Sequence, residues 1–120
     1  VGCRNVLIVE DDLAIRESLE QILEFEGYFP ILAENGESAV KILEAGERPC
    51  LILLDLMMPV MSGWEFLEVQ RENLSLSSIP VVIVSAARER ARIAVANEFL
   101  RKPIDVDRLL ELVDRYCPSS

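Results

Sequence analysis

The sequence predicts an α/β fold of five β–α units, a doubly wound three-layer sandwich around a parallel sheet. Short apolar, β-branched runs alternate with segments of helical periodicity along the whole chain. The runs NVLIV (5–9), LILL (51–54) and PVVIV (80–84) lack polar alternation. Such strands must be covered on both faces, as in parallel sheets with right-handed crossovers. No linker, repeat or low-complexity stretch divides the 120 residues, so residues 1–120 are expected to form one domain with its core over about 5–116.

The elements follow in order. Residues 5–9 make a buried strand, and 13–26 a helix with Ile15, Leu19, Ile22 and Leu23 at helical spacing. Gly27 ends that helix as a C-terminal cap. Residues 28–32 read as a second strand, with Pro30 pointing to an edge position. Asn35-Gly36 reads as a turn before a helix over 37–45. The third strand, 51–54, is wholly apolar, and Cys50 beside it reads as core. Residues 63–72 make a helix with Trp64, Leu67 and Phe66 inward. Residues 75–78 are a polar loop, 80–84 the fourth strand, and 88–96 a short basic helical segment. Residues 98–100 make a short fifth strand. Asp105 caps a last helix to about Tyr116, with Leu109, Leu110 and Val113 inward.

Composition excludes several functions. Formal net charge is −9, which disfavours direct nucleic-acid binding. No apolar run approaches the ~20 residues that span a bilayer, and residues 1–5 lack a signal-peptide layout. The chain begins at Val1 rather than Met, as an excised or processed fragment would. Histidine is absent and the three cysteines show no CxxC spacing, which argues against zinc sites and Cys-His or Ser-His catalysis. A reducing cytoplasm is the simplest compartment.

In such sheets ligands bind outside the carboxyl ends of the strands. Glu10, Asp11 and Asp12 follow the first strand, Asp55 the third, Ser85 the fourth, and Arg101-Lys102-Pro103 the fifth. Two carboxylates about 4 Å apart repel by ~4 kcal/mol at an effective dielectric near 20. The cluster therefore needs a cation or protons. All-oxygen ligands suit a hard ion, Mg2+ best. A carboxylate can also attack phosphorus to give an aspartyl phosphate, with Lys102 and Ser85 available to the phosphoryl oxygens. Taken singly each residue has a plainer reading: Asp11 and Asp12 as helix caps, Asp55 as a turn residue, Ser85 as a cap, Lys102 as a solvated surface lysine. Their joint placement at four strand ends favours the functional reading.

These residues resemble the receiver domains of two-component response regulators over about residues 5–116. VLIVEDD (6–12) resembles the family's opening motif. LLDLMMPVMSG (53–63) matches its D-x-x-M-P-x-x-x-G segment at Asp55, Met58, Pro59 and Gly63. VVIVSA (81–86) resembles the fourth strand with its hydroxyl, and RKP (101–103) the lysine-proline signature. The resemblance implies a flavodoxin-like sheet of order 2-1-3-4-5. It implies Asp55 as phosphoacceptor, and Mg2+ held by Asp11, Asp12, Asp55 and the Met57 carbonyl. It further implies Ser85 and Lys102 on the phosphoryl group, Phe99 as switch aromatic, and a cis bond before Pro103. The domain would be a cytoplasmic switch rather than an enzyme. It would receive its phosphoryl group from a histidine kinase or histidine phosphotransfer protein. It would signal to a downstream protein or output domain through the face of the fourth and fifth helices and the fifth strand.

Ser85 to Lys102 spans 17 residues, about one helical turn shorter than the family pattern, and the usual Gly-Ala before the fifth strand is absent. Arg88, Arg90 and Arg92 there read as a solvated helix face or, more sharply, as a patch for an acidic partner. Met57 and Ala87, two residues beyond Asp55 and Ser85, offer no polar group to position water, which predicts slow self-dephosphorylation. Three rival functions make different demands on these positions. A haloacid-dehalogenase-type phosphatase needs a second Asp where Met57 stands. An unphosphorylated pseudo-receiver would lose acidic or lysine positions. A flavin-binding domain would want a Ser/Thr/Gly-rich loop where this chain has EDDLA.

Overall fold

The computed structural model describes residues 3–85 and 97–118. The basic segment expected over 88–96, its three arginines and Ala87 lie outside the described residues. Five parallel strands, β1 (Asn5–Val9), β2 (Phe29–Ala33), β3 (Leu51–Leu54), β4 (Val81–Ser85) and β5 (Glu98–Arg101), form one sheet of order β2-β1-β3-β4-β5. The helices are α1 (Leu13–Phe25), α2 (Gly36–Glu44), α3 (Gly63–Glu72) and α4 (Val106–Tyr116).

Strand residues alternate between two apolar layers, as the two-residue period of a strand requires. Leu7, Val9, Ile52, Leu54 and Ile83 pack on one side with Ala39 and Leu43 of α2 and Phe66 and Leu67 of α3. Val6, Ile8, Leu51, Leu53, Val82 and Val84 pack on the other with Leu19 and Leu23 of α1 and Leu109, Leu112 and Val113 of α4. This is why the central strands carry no polar alternation.

Several local expectations shift. β2 starts one residue later than expected, and β4 runs from Val81 to Ser85 rather than over 80–84. Asn35 is not a turn residue: its side chain accepts the Ser38 N–H and caps α2, with Gly36 as the first helical residue. In α3, Phe66 is fully buried while Trp64 is only half-buried. Leu112, not singled out from the sequence, is fully buried in α4, and Leu110 is half-buried. Cys50 is not simply core: it precedes β3 and is disulfide-bonded to Cys117, which follows α4. Among the described residues no helix is long and apolar enough to cross a membrane.

Candidate functional site

Parallel register assembles the site. Val9 pairs with Leu54, so the next residues, Glu10 and Asp55, emerge side by side from the centre of the sheet. The Asp55 N–H donates to the Val9 carbonyl at 2.9 Å, which fixes their spacing. Ser85 ends β4 in register with Arg101 of β5, and its carbonyl accepts the Lys102 N–H at 2.9 Å. Lys102 thereby reaches the carboxylates: its Nζ lies 3.1 Å from Glu10 Oε1 and 3.6 Å from Asp55 Oδ1. The Lys102–Pro103 bond is cis. Gly63, at the start of α3, packs directly on the Asp55 backbone, where a Cβ would collide with the Asp55 carbonyl and stand 2.8 Å from Leu56 Cα.

One oxygen each from Glu10, Asp11 and Asp55 converges within 4.8 Å. Glu10 and Asp55 are buried, while Asp11 is exposed. Asp12, expected among the metal ligands, is not in this group. Its Oδ1 accepts the Ile15 N–H at 3.1 Å as the N-cap of α1, and Glu10 stands beside Asp55 instead. The physical reason is that β1 ends at Val9, so the first residue beyond it, not the third, faces the residue just beyond β3. That signal was legible: Glu10 and Asp55 occupy equivalent positions one past their strands. Arg16 carried no such signal. Its Nη1 donates to the Glu10 carbonyl at 2.8 Å and lies 3.5 Å from the Asp11 carbonyl, bracing the acidic turn.

The electrostatics follow from this crowding. Burial, then the Glu10 charge, pushes Asp55 up to about 7, against the pull of Lys102. For Lys102 burial acts downward, but the hydrogen bond and charge of Glu10 and the charge of Asp55 outweigh it and hold the ammonium above its ordinary value. Glu10 Oε2 accepts the Asp12 N–H at 3.2 Å. Its Oε1 is buried, and its neighbour is the Lys102 ammonium 3.1 Å away. Three carboxylates converging on one ammonium leave negative charge in excess, which fits a hard cation. Met57 projects to solvent, and its N–H lies 3.4 Å from Asp55 Oδ1. Ser85 is buried, and Phe99 is half-buried against the layer of α2 and α3.

The sequence and the fold both have known counterparts. Sporulation initiation phosphotransferase F of Bacillus subtilis is 36% identical over 119 residues, covering 95% of this chain and 94% of that protein. Response regulator MprA of Mycolicibacterium vanbaalenii is 37% identical over 112 residues, covering 88% of this chain but 47% of that protein, so the chain spans about half the length of such relatives. Response regulator TrrA of Thermotoga maritima, solved in complex with Mg(2+)-BeF, superposes with a TM-score of 0.84 at 31% identity, covering 94% of this chain and 98% of that one. The profile of the response regulator receiver domain matches residues 6–114. With strand order, site placement and profile in agreement, the chain belongs to the response regulator receiver domain family.

Proposed function

We propose that this domain is a phosphorylation switch in which Asp55 accepts a phosphoryl group from a phosphohistidine of a histidine kinase or phosphotransfer protein. The observation that carries the reading is the buried Asp55 carboxylate held between Lys102 and the carboxylates of Glu10 and Asp11. Asp55 Oδ attacks phosphorus, the P–N bond of the donor breaks, and the imidazole nitrogen keeps the electron pair. Lys102 neutralises charge on the transferred oxygens as a point charge, and the Ser85 hydroxyl donates to one of them. Glu10, Asp11, Asp55 and the Met57 carbonyl would hold Mg2+. When bound, the ion would offset the charge that keeps Asp55 protonated near neutral pH and that builds up during transfer.

The signal is a population shift. Phosphorylation adds about −1.5 to −2 charges. Ser85, drawn toward the new oxygens, vacates space into which Phe99 turns, remodelling the β5–α4 face for a downstream protein or output domain. The domain acts on its own phosphorylation alone, as a switch rather than an enzyme with turnover, in the cytoplasm where its donor operates.

The test is intact-mass spectrometry after incubation with acetyl phosphate, with and without Mg2+, and with the cognate kinase as a second donor. One Mg2+-dependent phosphoryl adduct, lost in Asp55→Asn, is expected. A folded wild-type protein that takes no adduct from either donor would sink the reading in favour of a pseudo-receiver.

A further inference from the structure

All three cysteines gather at the amino end of the sheet, away from Asp55. Cys50 enters β3 and Cys117 leaves α4, with their sulfurs bonded and their Cα atoms 5.9 Å apart. Cys117 is buried, whereas Cys50 is only half-buried. The N-terminal segment crosses the pair: Cys50 Sγ lies 3.1 Å from the Asn5 carbonyl and 3.4 Å from the Cys3 carbonyl. Cys3 is exposed with a free thiol. The Cys3 backbone thus lies against Cys50 Sγ, and rotation about χ1 is the freedom that carries the Cys3 sulfur toward it.

We propose that Cys3 is a thiol–disulfide exchange site that opens the Cys50–Cys117 bond, and that small thiols and disulfides of the glutathione class set its state. The Cys3 thiolate attacks Cys50 Sγ and the Cys3–Cys50 bond forms. The Cys50–Cys117 bond breaks, and its electron pair leaves with Cys117 Sγ, which takes up the proton released by Cys3. No electrons are gained or lost in this step. One external thiol then attacks the Cys3–Cys50 bond to form a mixed disulfide, and a second resolves it, so the two leave joined as their disulfide and both cysteines gain a proton. Cys50 is the sulfur attacked because it is the accessible member of the pair. Cys117 is the leaving group because it is the buried member of the pair.

Two features favour exchange over a permanent staple. The two apolar layers already give this fold a full core, so it does not belong with the small scaffolds that depend on disulfides. A free cysteine whose backbone touches a half-buried disulfide sulfur is also the kind of neighbour through which disulfides isomerise. The consequence is local. The bond ties the end of α4 to the start of β3, and opening it leaves that end held by the Arg4–Cys117 contact of 3.5 Å and by Arg115 on Glu98 at 2.9 Å. Since α4 lines the face expected to meet partners, its last turn is where redox state would be felt.

The full chain is equilibrated in graded glutathione buffers, quenched with acid, alkylated in denaturant and mapped by peptide mass. Oxidised protein is expected to carry one alkyl group, on Cys3, and reduced protein three. Intermediate buffers should yield the Cys3–Cys50 peptide with alkylated Cys117. Opening by external thiol should slow by at least about tenfold in Cys3→Ser, since the intramolecular attacker is lost. Cys117→Ser should close a Cys3–Cys50 bond in glutathione disulfide. Equal opening rates in wild type and Cys3→Ser, or a Cys117→Ser variant whose two thiols never pair, would overturn the proposal.

Discussion

At the carboxyl end of the sheet three acidic side chains and a lysine share one small volume. At the amino end the chain is closed by Arg4 stacked 3.9 Å from the Tyr28 ring centroid and by the Cys50–Cys117 bond. Arg4 there also donates to the Gly27 and Glu26 carbonyls, at 3.3 and 3.2 Å, so its charge ends on the C-terminus of α1. One end thus holds unbalanced charge that a ligand can relieve, and the other holds satisfied contacts and a covalent tie. A parallel sheet divides these roles because every strand delivers its following loop to the same end. Polar residues just past the strands accumulate there without disturbing the core.

The largest effect that would break this comparison lies in Glu10. Glu10→Gln is expected to weaken Mg2+ binding by roughly tenfold or more, read by titrating the fluorescence of Trp64. Asp12→Ala should leave that affinity within about twofold while costing about 1 kcal/mol of stability through the lost α1 cap. The reverse ranking would restore Asp12 to the metal site.

The next effect is pH. Asp55 stands at about 7 in the folded chain against an ordinary 3.8. Between those values the unfolded chain has released a proton that the folded chain still holds, so Asp55 subtracts stability as pH rises from 4 to 7. Urea midpoints of the metal-free protein at pH 5 and pH 8 should therefore differ more in wild type than in Asp55→Asn, with the variant the more stable at pH 8. Saturating Mg2+ should shrink the wild-type difference. An Asp55→Asn variant that loses as much stability as wild type between the two pH values would show that the strain lies elsewhere.

The smallest effect concerns Met57, which is 65% exposed at the mouth of the site. Its thioether holds no water in line with an acyl phosphate, whereas an amide would. Met57→Asn is expected to speed loss of the Asp55 phosphoryl group several-fold, followed by the decay of the adduct mass. An unchanged rate would remove the link between this side chain and the lifetime of the signal.

Much of this was legible in the residues. Uninterrupted apolar runs marked β1, β3 and β4, because a strand buried on both faces has no position for a polar side chain. Asp55, Ser85 and Lys102 could be picked out because each closes a strand or directly follows one. Asn35 carries two readings because Asn-Gly serves both a turn and a helix cap, and only packing decides between them: Gly36 donates to the Met61 carbonyl at 3.0 Å and has no room for a Cβ there. Glu10, Asp11 and Asp12 are three consecutive acids that look alike until a strand end is fixed to one residue. The Cys50–Cys117 pair was invisible because a separation of 67 residues carries no periodic signal.

The sequence by itself determined the order of the described elements, the covered parallel sheet and the end at which chemistry gathers. These depend on local periodicity and on rules common to all such sheets. Tertiary structure alone decided which acid stands beside Asp55, that Arg16 braces the turn, and that two distant cysteines meet. Those choices turn on register between strands and on the docking of α4, where a shift of one residue exchanges one side chain for another.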